Sequence, residues 1–459
     1  MIYTSLISKN KSELENFFIG KGAFSRTRKL NLIHLIGHLL YMVLSRNLDG
    51  YEISSDNYFH ELQVFLKRDL DGVTRSSICE ARYKLHWKAL EFLLKQSQLD
   101  TDQLSSQFKW KGHVVRAIDG SKITLPHSSE IIKTFPQRYS PQAGSYSHYP
   151  FAVLVCACNV ITGQPTSARI YNMHGSEKDG LLSIMDEFRP SDITLIDRGL
   201  GGSEVWNKFE DSKQYYVNRV KAGEGCARYV KEFVNSNKKQ STIWVDVKSA
   251  ETSRKKRIQV RLLRGRLLKD GSLFIVVTNL LNRKKYPRQE ILQLYAKRWE
   301  AETLYGKMKS LLNISKFHSR KTNGIFQEIF ANLLVLSLTS LSVLQVQLEK
   351  KMDPKEIVPN FKNATEVVKR YLYLFLSECL NPNQMKEHLK QMTHKIGRIL
   401  CKKQKGRSYP RVSQQPVNPW PYAKRHKISI HQKGRRISPS KEMRKKYKKI
   451  DQRENSLAA

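Results

Sequence analysis

Three acidic residues set the chemical question. Asp119 stands in "AIDGSKITLP" and Asp197 in "LIDRGL", each after a run of apolar residues; Glu302 lies in the helical stretch "LYAKRWEAETLYGKMKS", residues 294–310. An acid at the carboxyl end of a strand in an α/β sheet faces the place where ligands bind. Asp and Gly together also simply start turns, and both readings are open for either aspartate alone. As a set, the three offer the hard oxygen donors that Mg2+ prefers. Two such ions clamp the attacking and leaving oxygens of an in-line phosphoryl displacement. That chemistry needs positioning and charge neutralisation more than a covalent intermediate.

The helix brings more than Glu302. Its rhythm predicts one continuous helix over about 288–312. At about 100° per residue, with Tyr295 at 0°, Arg298 falls at about 300°, Glu302 at about 340° and Lys309 at about 320°. Leu294, Lys297, Ala301, Leu304 and Met308 fall on the neighbouring flank, which reads as the core face. A stripe of Arg–Glu and Glu–Lys pairs is most often a solvated face. Beside metal-binding carboxylates, the same stripe becomes a row of phosphate donors.

These residues need elements to position them. Residues 113–126 read as a strand ending in a turn, and 150–172 as a hairpin around Thr162-Gly163-Gln164. A helix over 175–188, a strand and Gly-rich turn over 192–202, a helix over 203–210 and a strand over 214–223 follow, which together predict a mixed α/β sheet. Three segments between 224 and 282 alternate like antiparallel strands, a β-rich insertion over about 222–282. The flanks are helical. Residues 28–47 and 74–96 are apolar at helical spacing, the second with Thr74, Ser76 and Ser77 as N-cap candidates. The organisation expected is a helical region at 1–105 suited to DNA ends or to plain packing, a catalytic domain at 106–322, a helical region at 323–400 suited to dimerisation, and a basic tail at 401–459.

The chain carries 80 Lys+Arg against 41 Asp+Glu, a formal net charge of +39. This balance favours a polyanion: DNA, RNA or an anionic membrane surface. The six cysteines, at 79, 156, 158, 226, 379 and 401, form no CxxC pair or zinc spacing, which suits a reducing, cytoplasmic compartment. The first residues lack the apolar core of a signal peptide. The most apolar stretch, 329–348, is interrupted by Asn332, Thr339, Ser and Gln, so a buried helix is expected there and no membrane partner. His113, His148 and His174 form no cluster and read as packing residues; His318, Arg320 and Lys321 read as phosphate contacts or a solvated loop. Trp299 points off the stripe and reads as a packing residue.

The order Asp, Asp, then Glu on a helix resembles that of DDE transposases. The spacing Tyr295-(2)-Arg298-(3)-Glu302-(6)-Lys309 resembles the Y-R-E-K signature of the bacterial insertion sequence four family, with "AIDGSKITLP", "LIDRGL" and "FQEIFANLLVLSLTSL" similar to its other segments. The resemblance covers about 110–345. It implies a ribonuclease-H-like fold, cleavage of DNA at terminal inverted repeats and joining of a 3′-hydroxyl to target DNA, by cut-and-paste. It also implies two Mg2+ (or Mn2+) on Asp119, Asp197 and Glu302, and a homodimer on paired ends in a bacterial cytoplasm. Tyr295, Arg298, Lys309 and Arg219 would then contact DNA near the cut. Trp244 in the insertion would stack a flipped base, or else pack beneath a small sheet. Two other readings share the carboxylates or the charge: a metal-dependent nuclease that cuts without joining, and an inactive basic DNA-binding regulator.

Overall fold

The computed structural model describes residues 6–403 except 26–29, 46–49, 67–71, 104–107, 138, 141–144, 173–176, 249–254, 267–270, 354–355 and 377–379. His174, Cys379 and the basic tail beyond 403 lie outside the described residues.

The N-terminal region is helical: α1 (Lys11–Glu15), α2 (Leu32–Leu44), α3 (Tyr51–Leu66), α4 (Arg75–Tyr83) and α5 (Lys88–Gln103). Thr74 caps α4 by accepting the Ser77 N–H. The helical pattern expected over 74–96 is broken between α4 and α5, because residues 85–86 pair with the chain at 17–18: Phe18 bridges Leu85, and the His86 N–H donates to the Phe17 carbonyl.

The centre is β1 (Val115–Thr124), α6 (Ser129–Thr134), a small hairpin of β2 (Tyr139–Ser140) and β3 (Ser145–Tyr146), then β4 (Phe151–Asn159), β5 (Pro165–Tyr171), α7 (Glu177–Met185), β6 (Ile193–Ile196), α8 (Ser203–Asp211), β7 (Tyr215–Val220), α9 (Arg228–Asn235), β8 (Gln240–Lys248), β9 (Lys255–Arg266) and β10 (Leu273–Thr278). Eight strands form one sheet in the order β5-β4-β1-β6-β7-β10-β9-β8. β6 runs parallel to both β1 and β7; the other pairs are antiparallel. This is a mixed α/β fold of the ribonuclease-H-like type, flanked by N- and C-terminal helical regions. The β-rich insertion does not form a sheet of its own. Its last strand, β10, pairs with β7, so β10, β9 and β8 widen the central sheet.

After the sheet come α10 (Arg288–Ala296), α11 (Trp299–Ser310), α12 (Thr322–Glu349), β11 (Ile357–Pro359), α13 (Phe361–Leu376), α14 (Pro382–Ile396) and β12 (Leu400–Lys402). α12 is long and apolar enough to cross a membrane, but 89% of its most apolar window is buried inside the protein, as a core helix requires. It packs against α2, α5, α13 and α14. The sheet separates two apolar layers: one joins the N-terminal helices, α10–α14 and one sheet face, and the other lies under α7, α8 and α9. A buried ion pair, Arg82 to Glu328 at 2.8 Å, ties α4 to α12.

Candidate active site

Asp119 is not at a strand end. β1 continues to Thr124, with Asp119 paired to Cys156 of β4. On its other side the parallel partner stops: β6 has four residues and pairs only with Val115, Arg116 and Ala117. The short neighbour leaves the sheet open beside Asp119, so a mid-strand acid gains the access expected of a strand end. Burial pushes the Asp119 carboxyl up to about 6; the Gly120 N–H and Arg298 oppose this, while Glu302 and Glu177 add to it.

Asp197 follows the last residue of β6. Its turn is built on Asn218 of β7, which is fully buried. The Asn218 amide donates to the carbonyls of Ile196 at 3.3 Å and Asp197 at 3.1 Å, and its oxygen accepts from the Trp206 indole at 3.0 Å. Gly201 leaves the room: a Cβ there would run into the Asn218 amide.

The expected single helix is two helices. Between α10 and α11 the backbone tightens to i→i+3 bonds: Arg298 N–H to Tyr295 O at 2.9 Å, Glu300 to Lys297 at 3.0 Å and Ala301 to Arg298 at 3.1 Å. About three residues per turn in that stretch breaks the 100° arithmetic. Tyr295 therefore turns inward. It is buried, stacks on Phe274, and points its hydroxyl at the Ile196 carbonyl, 3.4 Å away; burial pushes it up to about 12. Of the expected core face, Leu294, Ala301, Leu304 and Met308 are buried and Lys297 is exposed.

Arg298 lies at the centre. It is only 8% exposed. Its Nη2 donates to Glu302 Oε1 at 2.7 Å and its Nε stands 3.6 Å from Asp197 Oδ1. Burial works against its charge, but Glu302 and Asp197 hold it on, and the net effect is upward.

Two further ties dock α11 on β1. The Tyr305 hydroxyl lies 2.8 Å from the Asp119 carbonyl and 2.7 Å from the Leu154 carbonyl, and accepts the Cys156 N–H at 3.0 Å. Lys309 Nζ donates to Ser121 Oγ at 2.6 Å. Burial lowers the Lys309 ammonium, and Asp119 opposes that. Tyr305 and Asn218 escaped the sequence reading, although Tyr305 stands three residues after Glu302, one helical turn along.

A family model described as "Transposase DDE domain" matches residues 110–338, which contain all three acids. Residues 110–338 are a transposase DDE domain. The chain is 23% identical over 409 residues to the transposase InsG for insertion sequence element IS4 of Escherichia coli K12, covering 86% of this chain and 88% of that protein. It is 21% identical to the transposase for insertion sequence element IS231F of Bacillus thuringiensis subsp. israelensis, over 78% of each. A solved structure of piggyBac transposase in a synaptic complex with hairpin DNA aligns over 86% of this chain and 85% of its own, with a TM-score of 0.43 and 13% identity. The DDE domain and its relatives give the chain a transposase-type function in general.

Around this DDE domain the remaining candidates separate. Arg219 is level with Asp197 in the sheet, as the pairing of Asn218 with Ile196 sets the row, and its guanidinium lies over Phe274 at 5.9 Å, beside Tyr295. Trp244 is elsewhere. The Asp197 row crosses Arg219, Val276 and Leu263 to Gln240, and Trp244 is four residues further along β8, on the edge strand. It does not pack beneath a small sheet: it is 57% exposed, with Arg257 6.0 Å from its ring, above a hollow lined by Lys213, Tyr215 and Lys256. Trp299 is also exposed, with Arg298 over its ring at 5.5 Å. His113 bridges the Ser191 carbonyl and the Tyr286 hydroxyl, His148 stacks on His127, and His318 is packed on Glu328, so none of the three reaches the carboxylates. Lys321 pairs with Glu130 at 2.9 Å, and the Arg320 carbonyl accepts from Ser128.

As donors, the acids of the DDE domain suit a hard divalent ion. As placed, the expected convergence on a metal pair is not met: no three His, Cys, Asp or Glu among the described residues are grouped to hold one. The physical reason is Arg298, whose guanidinium stands between Glu302 and Asp197.

Proposed function

We propose that this protein is the transposase of a bacterial insertion sequence, cutting DNA at the element's terminal inverted repeats and joining the freed 3′-hydroxyl to target DNA by cut-and-paste. The observation that carries this reading is the Arg298 guanidinium bonded to Glu302 and facing Asp197, with Asp119 on the adjacent strand β1 within the reach of its charge, inside a transposase DDE domain. The Y-R-E-K spacing supports the narrower family assignment.

In this reading Asp119, Asp197 and Glu302 hold two Mg2+, or Mn2+ in their place. When bound, such ions supply charge neutralisation and a polarised oxygen for phosphoryl transfer. The chain's own residues bind and orient the DNA. Arg298, Lys309 and Arg219 grip phosphates near the cut. Tyr295 supports the end of β6 from below, and Trp244 with Arg257 contacts DNA away from the acids. Residues 1–105 hold the DNA ends, 106–322 carry the chemistry, 323–400 pair two copies on paired ends, and 401–459 add basic contacts. The compartment is the bacterial cytoplasm.

The test is Mg2+-dependent cleavage of a duplex carrying the element's ends, comparing wild type with Glu302→Ala. Equal cleavage by both would sink the three-carboxylate mechanism. Cutting without strand joining would favour a nuclease, and binding without cutting a regulator.

A further inference from the structure

Arg298 is placed as a cation would be. Its guanidinium bonds Glu302 at 2.7 Å, faces Asp197 at 3.6 Å, and its charge reaches Asp119. The side chain is nearly out of solvent while the carboxylates it faces are 42% and 33% exposed. A buried, always-charged fork therefore reaches up from beneath into acids that remain open from above. Its backbone sits in the tightened turn between α10 and α11.

We propose that Arg298 is an internal stand-in for the divalent ion, and that a DNA phosphate drawing the guanidinium off Glu302 opens the carboxylates to the metal. This rests on the transposase reading and assigns an order to it: DNA first, metal second. The physical ground is competition for the same oxygens. Glu302 cannot present the same lone pairs to a guanidinium and to an ion, and a phosphodiester offers Arg298 an alternative anionic partner that its fork can bind through two oxygens. Linkage then makes the effect reciprocal: metal tightens DNA binding by the factor by which DNA tightens metal binding.

The experiment titrates the full chain with Mn2+, reading the free-ion spectroscopic signal, with and without a short duplex. The Glu302→Gln protein with the same duplex is the blank for ions held by DNA alone. Wild type without DNA is expected to bind Mn2+ at least about tenfold more weakly than wild type with DNA. Arg298→Gln without DNA is expected to bind about as tightly as the wild-type complex, and Arg298→Lys to fall between. Wild type whose Mn2+ affinity is the same with and without DNA overturns the proposal, and this comparison needs no variant to fold. Arg298→Gln that folds and binds no tighter than wild type overturns it too. Because affinity is read without cleavage, these outcomes stay separate from the loss of the transposase reading, which shows as no Mg2+-dependent cutting.

Discussion

The hydroxyl of Tyr305 stands 2.8 Å from the backbone carbonyl of Asp119, so one side chain of α11 fixes the strand that carries the first acid. Glu302 is three residues earlier on the same helix. The separation between the first and third acids is thereby held from beneath by a buried tyrosine. Tyr305→Phe should leave the Cys156 N–H without its acceptor and cost about 1–3 kcal/mol of stability. Cleavage should fall by about 10- to 100-fold through misplacement of the acids. DNA affinity, measured by gel shift, should not change; a parallel loss of affinity would show that Tyr305 does more than position.

Gly201 and Gly120 make a contrasting pair. A Cβ on Gly201 meets Asn218, which is buried and bonded to both carbonyls at the end of β6. The nearest atoms to a Cβ on Gly120 belong to Glu177, whose side chain is exposed and flexible. Gly201→Ala should cost roughly 1–3 kcal/mol by overpacking and displace Asp197. Gly120→Ala should be tolerated. Thermal melts of both variants check this, and equal melting temperatures would show that Asn218 yields.

Arg82 and Glu328 predict a pH dependence. Burial alone would raise Glu328, but Arg82 and His318 overcome it and hold the carboxyl down at about 2. A carboxyl lower in the folded than in the unfolded chain adds stability that is present above its ordinary value and lost as pH falls toward 2. His38, buried and pushed down to about 3, also loses stability on acidification, from about pH 6.5 downward. Glu328→Gln should cost about 3–5 kcal/mol at neutral pH by stranding Arg82. The gap between variant and wild type in urea midpoint should narrow between pH 5 and pH 3, a window of about two units around the ordinary carboxylate value. A gap independent of pH would place the effect in packing rather than in charge.

The basic tail makes a prediction from sequence alone. A chain cut after Lys403 should bind DNA more weakly and with a shallower dependence on salt, since binding through fewer phosphate contacts releases fewer counterions. Binding measured between about 50 and 200 mM salt gives the slope. An unchanged slope would mean the tail meets something other than DNA.

Much of this fold was legible because its signals are local. Apolar runs ending in Asp-Gly or Asp-Arg-Gly marked β1 and β6, and the Thr162-Gly163-Gln164 turn marked the β4–β5 hairpin. What stayed hidden depends on neighbours far along the chain. Asp119 is accessible because β6 is short, which the sequence around Asp119 does not contain. The break at Lys297-Arg298 involves neither Pro nor Gly, so the helical rhythm ran through it and carried Tyr295 onto the wrong face. The resemblance gives Trp244 a base-stacking role without its place in the sheet; strand pairing sends it to the edge of the widened sheet. The role of Tyr305 is set by the Cys156 N–H and the Asp119 carbonyl, well over a hundred positions away along the chain.

The bond from Arg82 to Glu328 also sets a clock. These partners are 246 residues apart, and α2 and α5 bury their apolar faces on the same late helix. At synthesis rates of about 5–20 residues per second, α4 leaves the ribosome roughly 12 to 50 s before the segment that completes it. For that interval the N-terminal helices are sticky, incomplete surface, open to chaperones and proteases. A chain truncated anywhere before α12 never ends that interval.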